Sequence, residues 1–325
     1  MTHVLVCGGA GYIGAHMAKA LARAGCKVTV FDNLSTGHRA AVQWGELVEG
    51  DLLDKEALER LFKTHRFDAV MHFCALSQVA ESVRDPYAYY RNNVVGTLNL
   101  LDVMHHAGVK QLVFSSTAAV YGVPTTDKLD ESHSTLPINP YGASKLMVET
   151  MLEDAAKAYG LRSAALRYFN AAGADPEGDI GESHTPETHL IPNVLLHALG
   201  MGEGLKVFGD DYATRDGTCV RDYVHVNDLA AAHLLAMRHL DDHEGAHRFN
   251  LGSGSCYTVM EVIEAARKVT GKSISFSLAP RRAGDPPVLV ADSKRAVEML
   301  GWRPSFVDMP AIIETAWRWH CKARY

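Results

Sequence analysis

Three glycines spaced by three residues, Gly8, Gly11 and Gly14, break the chain between an apolar run and an amphipathic one, and no other feature restricts the fold as tightly. The run His3–Cys7 is short, apolar and β-branched, whereas Ile13–Ala24 carries a helical period. A strand that turns this abruptly into a helix needs positions without side chains, because the backbone doubles back on itself. The same turn aims the first N–H groups of the helix, and the positive end of its dipole, at whatever lies beyond the strand. Gly9–Gly14 reads G-x-G-x-x-G, which in a strand–turn–helix setting is the cradle for the pyrophosphate of a dinucleotide.

The pattern then repeats. Strand-like runs at Lys27–Phe31, Ala69–Phe73 and Gln111–Ser115 alternate with helical stretches at Lys55–Lys63 and Tyr89–His106. A longer helix is expected over Pro140–Tyr159 and a further strand over Arg162–Tyr168. Strands and helices at this spacing build βαβ units, so the expected class is α/β, a Rossmann-like doubly wound parallel sheet covered on both faces. After Asn170 the texture changes: Gly, Pro, Asp and His punctuate Ala171–Pro192, and shorter helices follow at Asp228–His239, Thr258–Thr270 and Pro310–Trp319. Residues 1–170 are therefore expected to form the dinucleotide-binding domain and 171–325 a smaller C-terminal α/β substrate-binding domain. The boundary is soft, since chains of this architecture often return a segment to the first domain.

Composition narrows the partners. Of 325 residues 47% are hydrophobic and 22% charged, with a net charge of −6. A mildly acidic chain has no long-range attraction for nucleic acid or an anionic membrane, so neither is expected as a partner. No apolar run approaches the roughly 18–20 residues that span a bilayer, and the N-terminus lacks a secretory pattern. The six scattered cysteines, without a C-x-x-C pair, read as thiols of a reducing compartment, and the cytoplasm is the expected location.

Asp32 closes the second strand run, 18 residues after Gly14. A carboxylate there accepts from both ribose hydroxyls of an adenosine and repels a 2′-phosphate, so the expected cofactor is NAD, not NADP. The next strand ends offer Asp51 and Leu52 for the adenine edge, then Phe73, Cys74 and Ala75 along the path to the nicotinamide. Tyr141-Gly142-Ala143-Ser144-Lys145 sets a phenol and an ammonium one helical turn apart on one face. A free phenol, pKa ~10, is a poor base at neutral pH; a nearby Lys, together with the positive field of an oxidised nicotinamide, favours the phenolate. Thr117, at the end of the Gln111–Ser115 run, is placed to hydrogen-bond the phenol and a reacting hydroxyl. Tyr141, Lys145 and Thr117 are thus the expected catalytic set.

With these residues in place the chain resembles the extended short-chain dehydrogenase/reductase (NAD-dependent epimerase/dehydratase) family, and within it is similar to the UDP-glucose 4-epimerases. The likeness runs nearly end to end, through FDNLSTGH (Phe31–His38), YYRNNVVGTL (Tyr89–Leu98), FSSTAAVYG (Phe114–Gly122), PYGASKLMVE (Pro140–Glu149), LRYFNAAG (Leu166–Gly173), the long segment Gly209–Leu229, FNLGSG (Phe249–Gly254) and APRRAGD (Ala279–Asp285). The resemblance implies that Tyr141 removes the 4-hydroxyl proton of a UDP-sugar while the 4-hydride goes to a tightly held NAD. The 4-keto sugar then turns and takes the hydride back on its other face. It assigns Tyr12, Ile13, Asn33, Ser35, Thr36, Gly37, Ser77, Ser115 and Tyr168 to the cofactor as well, with Asn92 and Phe169 bordering the nicotinamide. To the UDP-sugar it assigns Asn170, His189, Leu190, Lys206, Val207, Phe208, Arg221, Arg282, Asp285 and Leu289, the arginines being suited to bidentate diphosphate binding.

Departures bear on the substrate. Ser77 stands where many epimerases have Lys near the nicotinamide ribose, and His189 stands where some have Asn. Leu289 occupies the position whose bulk limits the sugar's 2-substituent, so the expectation is UDP-glucose/UDP-galactose with weak use of the N-acetylated pair. The UDP-xylose/arabinose pair fits the same chemistry. A 4,6-dehydratase needs acids after the threonine, where this chain has Ala118-Ala119. A reductase would need an exchanging cofactor and a second substrate, and a mere NAD sensor has no use for an activated phenol. The family also implies a homodimer packed through Tyr89–His106 and Pro140–Tyr159. No metal site is expected: His239, His243 and His247, spaced by four, read as a solvated surface.

Overall fold

The computed structural model describes residues 1–202, 204–282 and 286–325. Thirteen strands run β1 (His3–Cys7), β2 (Lys27–Asp32), β3 (Glu46–Glu49), β4 (Ala69–His72), β5 (Gln111–Thr117), β6 (Arg162–Tyr168), β7 (Asn170–Ala172), β8 (Lys206–Phe208), β9 (Val220–His225), β10 (Ala246–Leu251), β11 (Cys256–Thr258), β12 (Ser277–Ala279) and β13 (Val288–Leu289). The helices are α1 (Tyr12–Arg23), α2 (Lys55–Thr64), α3 (Val79–Arg84), α4 (Pro86–Tyr89), α5 (Gly96–Ala107), α6 (Pro140–Tyr159), α7 (Leu190–Ala198), α8 (Val226–Asp242), α9 (Val259–Thr270), α10 (Lys294–Leu300) and α11 (Met309–His320).

Seven strands form the main sheet in the order β10-β6-β5-β4-β1-β2-β3, every pair parallel. Such a sheet must be covered on both sides, and alternation along β1 shows how. Val4 and Val6 face a core shared with α1 and α8, through Met17, Leu21, Leu229 and Met237. Leu5 and Cys7 face the opposite core, built with α2, α5 and α6 through Leu58, Leu100, Val103 and Val148. Strand order reverses at β1, with β2 on one side and β4 on the other, so a crevice opens there beyond the carboxyl ends of the strands. Beyond residue 170 the chain builds small sheets, β11-β9-β13 with β7 on β9, and β12-β8, over their own core of Ile191, Val194, Val207, Val262 and Ile312. Between them, β10 comes back to pair with β6, and α8 packs on the α1 face.

Local signals account for the long helix beneath the crevice. Asn139 caps α6 by accepting from the Gly142 N–H at 2.8 Å, Pro140 sits in the first turn, and Gly160 ends the helix at φ 68°. The expected Tyr89–His106 helix differs in one respect: Tyr90–Val95 is π-helical and leads into α5. The widened turn puts Asn93 inside the protein. Its side chain accepts from Leu76 N–H at 2.9 Å and donates to Leu76 O and Ser144 Oγ at 3.0 Å each, joining the crevice wall to α6. No helix among the described residues is long and apolar enough to cross a membrane.

Candidate active site

The crevice is a cleft enclosing about 1700 Å³ of open space, part of it continuous with solvent. Its floor is the glycine turn. Gly8 has φ +81° and hydrogen-bonds Phe31 O through its N–H at 2.9 Å; a Cβ there would lie 2.7 Å from Cys74 N. A Cβ on Gly14 would lie 2.0 Å from Gly8 O. No side chain caps the first turn of α1 behind Gly11, so its N–H groups are left for an anion. Asp32 is buried at the end of β2, where Oδ2 accepts from Ala10 N–H at 2.9 Å and Oδ1 from Leu34 N–H at 2.8 Å. It thereby holds the glycine turn, and each oxygen keeps a lone pair for a ribose hydroxyl. These residues fit a dinucleotide: a cradle too tight for side chains, an open helix end and a carboxylate beside it.

Replacing Gly14 with Ala is expected to abolish retention of the cofactor, because the methyl group drives the first turn of α1 away from Gly8. Nucleotide extracted from purified protein and quantified by chromatography checks this; a full complement of NAD would contradict it.

Of the expected cofactor residues, Gly8, Gly11, Tyr12, Ile13, Gly14, Thr36, Phe73, Ala75, Ser77, Ser115, Tyr168 and Phe169 line the cleft. Asn33, Ser35, Gly37 and Asp51 are not among the lining residues; they lie in the two loops after β2 and β3, linked by the Asn33 amide donating to Asp51 Oδ2 at 2.8 Å, with Ser35 N–H donating to Asn33 Oδ1 at 3.0 Å. Leu52 buries its side chain in the core, so only its backbone can meet a ligand. Cys74 lies behind the lining, and burial holds its thiol well above the ordinary range. Asn92 is half-buried but donates to Asn93 Oδ1 at 2.9 Å instead of entering the cleft.

Thr117, Tyr141 and Lys145 converge on the same cleft. Thr117 ends β5 opposite Tyr168 of β6 and caps the following turn through Ala119 N–H at 3.1 Å. Burial pushes the Tyr141 phenol above its ordinary pKa, and the Thr117 hydroxyl partly offsets this. Lys145 is fully buried, with Nζ donating to Ser115 O at 2.8 Å over the Phe114 ring. Burial lowers its ammonium to about 7, against an opposing pull from Cys74 and Glu149.

Two features beneath the site left no local mark in the sequence. Ser116 Oγ donates to Glu149 Oε1 at 2.6 Å, and Glu149 is the ion-pair partner of Arg167, both side chains being almost wholly buried. Arg167 also donates to the Tyr121 hydroxyl at 2.9 Å, and Tyr121 to Asn250 Oδ1 at 2.6 Å. This network ties the ends of β5, β6 and β10 to α6.

The substrate half of the cleft holds Asn170, His189, Leu190 and Leu289. Asn170 donates to Asp222 O at 2.7 Å, and Leu289 packs against the small core that contains Ala118 and Val120. Arg221 donates to the carbonyls of Val220 and Pro286 at 2.9 Å each, and β13 runs beside it in register Leu289 with Arg221. The exposed Arg282 guanidinium lies 4.0 Å from the Phe208 ring centre. Lys206 is exposed on β8, Val207 points into the core, and Asp285 lies outside the described residues. Sequence reasoning also passed over Glu182 and His184, which line the cleft beside His189; the spacing E-x-H-x-x-E-x-H over 182–189 was the available signal. The His239, His243 and His247 rings do gather, His239 stacked 3.7 Å from His243, but His239 is buried against Phe249 and not solvated.

The NAD dependent epimerase/dehydratase family matches residues 4–252. The chain belongs to this family. It is 50% identical over 318 residues to the UDP-glucose 4-epimerase of Lacticaseibacillus casei, covering 98% of this chain and 96% of that one. A crystal structure of UDP-glucose 4-epimerase from Brucella ovis in complex with NAD is 50% identical, with a TM-score of 0.95 over 98% of each chain. The UDP-Glc/GlcNAc 4-epimerase structure from Campylobacter jejuni is 41% identical, with a TM-score of 0.87 over 99% of each chain.

Proposed function

We propose that this chain interconverts UDP-galactose and UDP-glucose by epimerisation at carbon 4 of the sugar, with NAD held in the glycine cradle. The observation that carries the reading is the convergence of Thr117, Tyr141 and Lys145 on the one cleft that also contains Gly8, Gly11 and Gly14. When bound, oxidised NAD supplies the hydride acceptor for carbon 4 and the positive charge that brings the Tyr141 phenol down. Tyr141 takes the 4-hydroxyl proton and later returns it. Thr117 orients that hydroxyl. Lys145, anchored on Ser115 O, keeps the positive end of the site beside the phenol. The transient 4-keto sugar turns within the wide substrate half and exposes its other face. Arg221, Arg282, Lys206, Phe208 and Asn170 are assigned to the UDP end, which stays anchored during that turn. Ala118 and Ala119 provide no acid or base for loss of water, which disfavours dehydration.

Purified protein incubated with UDP-galactose and no added cofactor should drift to a fixed UDP-galactose/UDP-glucose mixture, read by proton NMR. Failure to convert even with NAD added would remove this substrate pair and leave the pentose or N-acetylated ones.

A second reading, partial use of UDP-N-acetyl sugars, is favoured by Leu289, which lines the cleft beside Phe169 with less bulk than a tyrosine. Leu289→Tyr should suppress N-acetyl turnover while sparing the glucose pair, and Leu289→Gly should raise it roughly tenfold relative to glucose, in line with the ~1–3 kcal/mol that pocket size can discriminate. Ratios of kcat/KM for the two pairs test this; unchanged ratios in both variants would discard the role of Leu289.

We also assign a homodimer to the exposed apolar surface of α5 and α6, where Leu98, Met147 and Tyr159 face solvent. Light scattering on a size-exclusion column tests it, a monomer mass being the contrary result.

A further inference from the structure

Glu182, His184, Glu187 and His189 bring four potential ligand atoms within 4.8 Å of one another on the wall of the cleft. His189 Nδ1 lies 2.9 Å from Glu187 Oε1 and 3.0 Å from Glu182 Oε1, and His184 Nδ1 lies 3.4 Å from Glu182 Oε1 and 3.4 Å from Glu187 Oε2. In a tetrahedral site with metal–ligand bonds of ~2.0–2.2 Å, neighbouring ligand atoms sit about 3.3–3.6 Å apart. These four His–Glu separations lie within about half an ångström of that range.

The charges point the same way. Glu182 and Glu187 are almost wholly buried, and among the described residues their ion-pair partners are the two imidazoles alone. The neighbouring acidic cluster, Asp175, Glu177 and Asp179, is built differently. Lys19 Nζ sits at its centre, 2.7 to 2.9 Å from all three, so a cation of the chain already fills it. His189, half-exposed, leaves a way in from solvent.

We propose that Glu182, His184, Glu187 and His189 form a binding site for a divalent transition ion of the zinc class, held through two imidazole Nδ1 and two carboxylate oxygens. Nitrogen and carboxylate ligands in this arrangement disfavour magnesium and calcium, which prefer six or more oxygens. The ion displaces the ring protons, neutralises the buried carboxylates and ties residues 182–189 together immediately before Leu190, at the start of α7. It takes no part in proton or hydride transfer. Its role is to stiffen the substrate-side wall, and the site stands whether or not the proposed sugar chemistry is correct.

Tag-free protein, stripped with a chelator and returned to chelator-free buffer, is titrated with Co²⁺ and then Zn²⁺. We expect one equivalent of Co²⁺ to give the intense visible bands of tetrahedral coordination, and one equivalent of Zn²⁺ to remove them. H184A and H189A should each weaken Zn²⁺ binding by more than tenfold, since even outer-shell changes cost 10–100-fold. H239A/H243A should bind as the parent does. Zn²⁺ should also raise the thermal midpoint of the parent and leave that of H184A unchanged. Absence of stoichiometric uptake by the parent chain, octahedral Co²⁺ spectra, or loss of binding in H239A/H243A with retention in H184A would each overturn the proposal. The parent titration decides the matter even if a variant folds poorly.

Discussion

Tyr141→Phe is expected to lower kcat for UDP-galactose on the order of 10³-fold, about 4 kcal/mol of transition-state stabilisation, while the protein keeps its NAD. The substitution removes a single oxygen. The ring remains against Tyr89, 6.5 Å away edge to face, and α6 keeps its Asn139 cap, so the structural change is small. What disappears is the group that accepts the 4-hydroxyl proton. Because burial raises the phenol and, among the described residues, the Thr117 hydroxyl opposes it, activity of the parent should depend on cofactor charge as well as on Lys145. Stopped-time NMR of sugar conversion, alongside quantified bound nucleotide, separates chemistry from binding. A loss below tenfold with full nucleotide content would mean that another base does the work.

The second large effect concerns stability. Glu149→Leu is expected to lower unfolding free energy by roughly 3–5 kcal/mol, because it strands the buried Arg167 guanidinium. Arg248, which also meets Glu149, is one-third exposed and keeps Glu153, so it suffers less. Replacing both partners, Glu149→Leu with Arg167→Leu, should recover much of the loss, since an apolar pair avoids the desolvation of either charge. Urea midpoints at constant slope measure both. A double variant as unstable as the single one would show that the hydrogen bonds to Ser116 and Tyr121, and not the stranded charge, set the cost. The single variant should also lose activity, since Ser116 lies between Ser115, which holds Lys145, and Thr117.

The two effects differ in how far they could be read beforehand. Tyr141 and Lys145 are one helical turn apart, and a spacing of four is a local matter that a helix enforces by itself. Gly14 is equally local: the turn between β1 and α1 is short, and a methyl group on Gly14 would meet the carbonyl of Gly8 in that turn, whereas the space denied at Gly8 is taken by Cys74 beyond β4. Asp32 could be placed because a parallel strand must end beside its neighbour. The sequence alone thus determined the α/β alternation, the cradle and the phenol–ammonium pair.

Tertiary structure decided what depends on distant partners. Glu149 reads as a helix-surface residue until Arg167 of β6 and Arg248 of β10 close over it. β10 lies in the second half of the chain, and edge pairing with β6 is what returns it to the main sheet. Asn93, not Asn92, turns inward because the π-helical stretch shifts the register of the face by one residue. Leu289 joins Phe169 on the lining of the cleft only because β13 adds beside β9, more than sixty residues earlier in the chain. Helical and strand periods act over a few residues and leave a pattern in order. Pairing of strands and of buried charges is settled by which surfaces the collapsed chain brings together, and no spacing along the sequence records that choice.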